Sequence, residues 1–233
     1  MSGSELKEAR LQAGWTQQRL AGQLGMTQAY LSLMEAGKRP VPARVTRRAT
    51  TLLGLQPTAL PLGDRRQTNP AKLDLELEQG LARLGYPGLA WRRKPGALRN
   101  PAELLLTALS LDDLDPRLTE ALPWLLLKFG GYSTEEVVAR AKSLDVQNRL
   151  GFTVALARRV AEHNPEFQHR RDELRLLEQQ LERSRLARED TYGRRESERM
   201  RAWLRDNRSQ EAEHWNLLTD LKSEHLPYDS PHP

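Results

Sequence analysis

The sequence contains no cysteine among its 233 residues. That excludes a disulfide framework and any zinc site built on thiolates, and it fits a reducing cytosol. No run of 18 apolar residues occurs, so no membrane contact through a spanning helix is expected. The opening Met1-Ser2-Gly3-Ser4 leads straight into an amphipathic pattern without the apolar stretch of a signal peptide, and no secretory leader is expected. Val and Ile are scarce, which leaves few strand formers. Neither Gly-x-x-x-x-Gly-Lys-Ser/Thr nor Gly-x-Gly-x-x-Gly is present, so no phosphate loop for a nucleotide cofactor is expected. His163 and His169 lie six apart with Pro165 between them, and His214 and His225 stand alone. Helical metal pairs need a spacing of four, so these read as surface histidines and no metal is expected. Glu135-Glu136 and Asp112-Asp113 read as helix-start residues rather than catalytic pairs. With no nucleophile beside a recognisable base, no enzymatic activity and no cofactor are expected.

What is present is helix and positive charge. The net charge is +5, and it is unevenly spread. Residues 1–62 hold eight Lys/Arg against three Asp/Glu, and residues 63–100 hold eight against four, whereas 101–163 and 164–233 are each slightly acidic. A basic face attracts phosphate, although charge alone fits a merely soluble surface equally well. Apolar residues recur at three- and four-residue spacing almost throughout, which predicts an all-α protein.

The first helix is expected from about Glu5 to Ala13, capped by Ser4 and ended by Gly14. Thr16 would cap a second helix, Gln17 to Leu24. Gly25 would make a turn, and Thr27 would cap a third, Gln28 to about Ala36, closed by Gly37. A fourth runs from Ala43 to Leu53, with a short segment near Thr58 to Leu62. Residues 1–62 form one domain. Residues 63–72 lack apolar periodicity and read as a linker. A larger helical domain, 73–163, follows. It has a helix from Leu73 to Leu84, an irregular basic stretch from Tyr86 to Arg99, and an Asn100-Pro101-x-Glu103 helix start leading through Leu111. The next helix opens at Asp115-Pro116, and Pro123 is expected to kink or divide it. Ser133-Thr134-Glu135-Glu136 reads as a capping box, and a last helix covers about Val146 to His163. Residues 164–225 read as a charged helical extension with a long charged helix. In it, Phe167, Leu174, Leu177 and Leu181 make either a short coiled-coil seam or, preferably, one packed edge of a solvated helix. Trp203, Trp215, Leu217, Leu218 and Leu221 are too apolar for a free tail and should dock on a folded surface. Residues 226–233 read as a disordered tail.

The segment Gln17 to Ala36 meets the helix-turn-helix pattern wherever physics constrains it. Leu20, Leu24, Met26, Leu31 and Met34 are apolar and would face a core. Ala21 is small enough for two helices to cross closely. Gly25 stands where the turn requires a positive φ, cheap only for glycine.

On these residues, Leu6 to Leu55 resembles the Cro/repressor-type (XRE) family of lambda-repressor-like helix-turn-helix domains. The run Met26-Thr27-Gln28-Ala29-Tyr30-Leu31-Ser32-Leu33-Met34-Glu35-Ala36-Gly37 is similar to that family's recognition helix and following turn. The resemblance implies a transcription regulator on double-stranded DNA, with the third helix in the major groove. Gln28 would then read a base, since a Gln amide can pair bidentately with adenine, while Thr27 and Ala29 could touch a thymine methyl and Ser32 could donate or accept. Tyr30 matches a position that meets the DNA backbone. Gln17 and Gln18 stand at a helix start suited to phosphate, and Lys38, Arg39 and Arg44 could grip flanking phosphates. Arg10 and Glu35 match a structural ion pair. The resemblance also implies a repressor in the cytoplasm, associated with the nucleoid and acting as a homodimer on paired half-sites. The Leu-rich helices between Leu104 and Phe129 and the stripe from Phe167 to Leu181 are the candidate seams.

Two features remain. Trp91-Arg92-Arg93-Lys94 could bind nucleic acid by charge and stacking, or be a surface loop with Trp91 tucked into the core; the second is favoured. In arrangement, residues 73–233 resemble the partner-binding bodies of antitoxin-type regulators, which implies an alternative role in neutralising a protein toxin.

Overall fold

A computed structural model describes residues 1–63, 70–192 and 197–230. The chain divides into two compact units, Met1–Asp64 and Arg65–Pro233. The linker expected at 63–72 falls largely outside the described residues. Among the described residues the fold is all-α, with one pair of two-residue strands. No helix of the described chain is long and apolar enough to cross a membrane.

The N-terminal unit has four helices: α1 (Gly3–Gln12), α2 (Gln17–Leu24), α3 (Gln28–Glu35) and α4 (Ala43–Leu52), then a 3-10 turn at Pro57–Ala59. Ser2, not Ser4, caps α1. Its hydroxyl accepts from the Glu5 amide while the Glu5 carboxylate accepts from the Ser2 amide at 2.6 Å, so the reciprocal box needs its acid three residues on. Leu6, Leu20, Leu24, Leu31, Met34 and Ala49 are buried together, with Met26 packed against them. Gly3 lies on the C-terminal end of α3, where a Cβ would fall 1.8 Å from the Met34 carbonyl oxygen.

The second unit is built around α9 (Gln147–His163), buried along most of its length. Around it pack α6 (Pro101–Leu109), α7 (Pro116–Lys128), α8 (Thr134–Leu144) and α10 (Arg171–Glu182), and α5 (Pro70–Leu84) lies on α6 and α7. Asn100 caps α6 as its residue type predicts, accepting from the Ala102 amide at 2.8 Å. Asp115 caps α7, so the Asp112-Asp113 pair precedes that helix rather than starting it. α7 is not divided at Pro123. Residues 121–127 are all buried, and tertiary packing outweighs a local cost of about 3 kcal/mol. Ser133 stands at the start of α8, but its side chain makes no capping bond, so that box does not form.

The described residues between 164 and 230 form neither an extension nor a free tail. They are divided among α10, β1 (Asp190–Thr191), α11 (Glu198–Asn207), α12 (Gln210–His214) and β2 (Leu217–Leu218), and they return onto α9. Phe167, Leu174, Leu177 and Leu181 are buried, so the stripe is the packed edge of a solvated helix and not a seam. The Leu-rich helices between Leu104 and Phe129, the other candidate seam, are likewise consumed by the unit's own core up to Leu127. β1 and β2 pair in parallel, Asp190 opposite Leu217. Asn148, fully buried, donates to the Leu186 and Arg188 carbonyls and accepts from the Leu186 amide. Arg149 binds the Asp190 carboxylate and the Leu109 and Leu111 carbonyls. Trp215, Leu217 and Leu218 are buried as their apolarity predicts, but Trp203 stays half-exposed. The expected disordered tail is packed as far as described: Leu226 and Tyr228 are buried, and the Tyr228 hydroxyl donates to the Glu120 carbonyl at 2.6 Å.

Candidate nucleic-acid interface

The geometry of α2 and α3 follows from three local devices. Thr16 accepts from the Arg19 amide at 3.1 Å, and Thr27 accepts from the Tyr30 amide at 3.3 Å, so each helix start is satisfied by its own threonine. Between them Gly25 adopts φ 73° and ψ 38°, a left-handed conformation that costs other residues about 1–2 kcal/mol. With Leu20, Leu24, Leu31 and Met34 turned inward, the opposite face of α3 is left to solvent. Thr27, Gln28, Ala29 and Ser32 are all exposed there, with Tyr30 at 42% and Leu33 at 39%.

Beneath this face lies a buried ion pair. The Arg10 guanidinium donates twice to the Glu35 carboxylate, Nε to Oε1 at 2.7 Å and Nη2 to Oε2 at 2.9 Å, and both residues are 6% exposed. Arg10 also donates to the Trp15 carbonyl at 2.8 Å, so one side chain joins α1, the α1–α2 turn and α3. Burial by itself would raise the Glu35 carboxyl. The Arg10 guanidinium, the Gln17 amide and the charge of Lys7 overcome that and hold it below its ordinary value.

Gln17 differs from its expected role. Its side-chain amide turns inward and donates to Glu35 Oε2 at 2.8 Å, while its Oε1 lies 3.5 Å from Gln28 Nε2. A polar chain thus runs from Arg10 through Glu35 and Gln17 to Gln28, and Gln17 orients the exposed amide. Gln18 is exposed at the start of α2. Lys38, Arg39 and Arg44 are exposed, as are Arg47 and Arg48. Among the described residues none of the five has an acidic partner. Arg19, which the sequence reading passed over, is exposed in the first turn of α2 with its guanidinium 4.2 Å from the Trp15 ring centroid. A cation in the first turn of the second helix was the available signal.

Residues 3–62, about a quarter of the chain, match the family model of a helix-turn-helix domain. No curated protein and no solved structure matches the chain. The N-terminal unit is thus a helix-turn-helix domain, a class of fold suited to binding DNA.

Outside this unit, Trp91 is not in the core: it is 67% exposed. Its neighbours lie on the surface, with Arg92 half-buried and Arg93 and Lys94 exposed. His163, His169, His214 and His225 are all exposed. No group of three metal-ligating side chains occurs among the described residues.

Proposed function

We propose that the protein is a sequence-specific transcriptional regulator, a repressor that reads its operator with α3 and acts as a pair of heads on two half-sites. The observation that carries this reading is the exposed face of α3, whose Thr27, Gln28, Ala29 and Ser32 serve no core. Gln28, oriented by Gln17, pairs with an adenine edge. Thr27 and Ala29 meet thymine methyls, and Ser32 contacts a base as donor or acceptor. Gln18, Tyr30, Lys38, Arg39 and Arg44 fix the register on phosphates, which carry no sequence information of their own. Arg19 joins that set. The protein works by binding rather than catalysis, on the chromosome in the cytoplasm.

The test is selection of a duplex from a randomised library by the full chain, followed by binding with wild type and Gln28→Ala at several salt concentrations. Loss of one bidentate base contact weakens binding to the selected duplex by about 1–3 kcal/mol, with an unchanged salt dependence. Wild-type binding that shows no sequence preference overturns the reading. A second reading is favoured by Met200 and Trp203, which stand one turn apart on α11 and are 47% and 48% exposed. Such a face suits a protein partner, such as a toxin that the helical body neutralises. Stable co-purification with the product of an adjoining gene distinguishes that reading.

A further inference from the structure

The Trp91–Lys94 loop is an ordered feature of the second unit. It begins within the 3-10 turn Pro87–Arg92, and two side chains of α5 hold it from beneath. Glu78 forms an ion pair with Arg92, Oε2 to Nε at 2.8 Å. Arg83 donates through Nε to the Lys94 carbonyl at 2.9 Å. Gly96 makes room for that brace, because a Cβ there would lie 2.6 Å from Arg83 Cζ. Arg92 is thereby neutralised, and its guanidinium covers one face of the Trp91 ring, 4.1 Å from the centroid. The rest of the indole faces solvent at 67% exposure.

The next two residues differ from Arg92. Arg93 and Lys94 are exposed, and among the described residues neither has an acidic partner. A braced loop therefore presents two uncompensated cations beside an open indole. An exposed aromatic beside uncompensated cations is a combination that can take up nucleic acid by stacking and charge. The loop's charge selects a polyanion, and the same chain carries a helix-turn-helix unit at residues 3–62.

We propose that the Trp91–Lys94 loop is a second, sequence-independent contact with duplex DNA, in which Arg93 and Lys94 take backbone phosphates and the Trp91 ring lies against the adjoining sugar. This rests on the N-terminal unit binding DNA, and it adds affinity without adding sequence preference.

The test uses the full chain, the duplex selected by wild type, and a duplex of equal length and unrelated sequence. Each phosphate contact contributes about 0.9 to the slope of log affinity against log salt concentration. The double variant Arg93→Ala/Lys94→Ala lowers that slope by about 1.8 on both duplexes, with the preference between them unchanged. The charge-preserving exchange Arg93→Lys/Lys94→Arg restores the slope, and matching melting temperatures show that the fold is intact. An unchanged slope in the alanine variant overturns the proposal. So does tighter binding of the single strand than of the duplex in a manner that depends on Trp91. Failure of the N-terminal unit's reading looks different: wild type then shows no preference between the duplexes, while the loop's slope change is still measurable on both.

Discussion

Glu35 shows how one side chain can serve two ends of a site. Its carboxylate is fixed by Arg10 from below and in turn fixes Gln17, which meets Gln28 on the exposed face. Removing one partner of a buried pair strands the other charge, at a cost of about 3–5 kcal/mol. Glu35→Ala is therefore expected to lower the stability of the N-terminal unit by that amount, read as a loss of its thermal transition. The pair also has a pH signature. Because the Glu35 carboxyl is held below its ordinary value of 4.5, its contribution is fully present above that value and is lost as the pH falls through the lower, folded value. Glu35→Gln removes this titration. Its acid limb, followed by circular dichroism between neutral pH and strong acid, should be shallower than that of wild type. Equal acid limbs would show that the pair contributes nothing to acid stability.

At the level of whole elements, the second unit depends on one close approach. α9 carries Gly151 where the Trp215 ring packs against it, and a Cβ at that position would fall 2.2 Å from the ring. Trp215 is fully buried and cannot move aside without opening the core, so Gly151→Ala is an overpacking change costing about 1–3 kcal/mol. The expected outcome is a lower melting temperature of the second unit, with sequence preference for the selected duplex retained; unchanged stability would mean the C-terminal segment is loosely seated. This contact also marks the boundary of what the sequence makes legible. Thr16, Gly25, Thr27 and Asn100 act on neighbours within a few residues, so their roles can be read from spacing alone. The Ser2–Glu5 box is equally local, but Ser4, two residues on, offers a competing cap of the same residue type. The return of the described residues after 164 onto α9 and α7 rests instead on pairs such as Asn148 with Leu186 and Tyr228 with Glu120, too far apart in sequence to leave a periodic trace. The exposure of Trp91 is of the same kind, since an indole's burial depends on what packs over it. The inward turn of Gln17 depends on Glu35, eighteen residues away.

For the whole molecule, the proposed pairing of two heads requires either an interface or a template. Stable dimers bury about 1,600 Å² in total, with an apolar centre. The two leucine-rich surfaces that could have supplied one are already filled: Leu104 to Leu127 lies around α9, and Leu174, Leu177 and Leu181 pack on the same helix. The large apolar side chains left exposed on the second unit, Leu75, Trp91, Leu98, Leu176, Met200 and Trp203, are distributed over α5, the loop that follows it, α10 and α11. Pairing is then expected to be a property of the complex, with DNA supplying the register through half-sites one helical turn or a multiple apart. Sedimentation of the free protein at micromolar concentration should give a monomer. Titration onto a duplex with two half-sites should load two copies cooperatively, and a duplex with one half-site should load a single copy more weakly. A free dimer that persists on dilution would overturn this and place a protein–protein interface on one of the exposed faces, with α11 the first to test by Trp203→Glu.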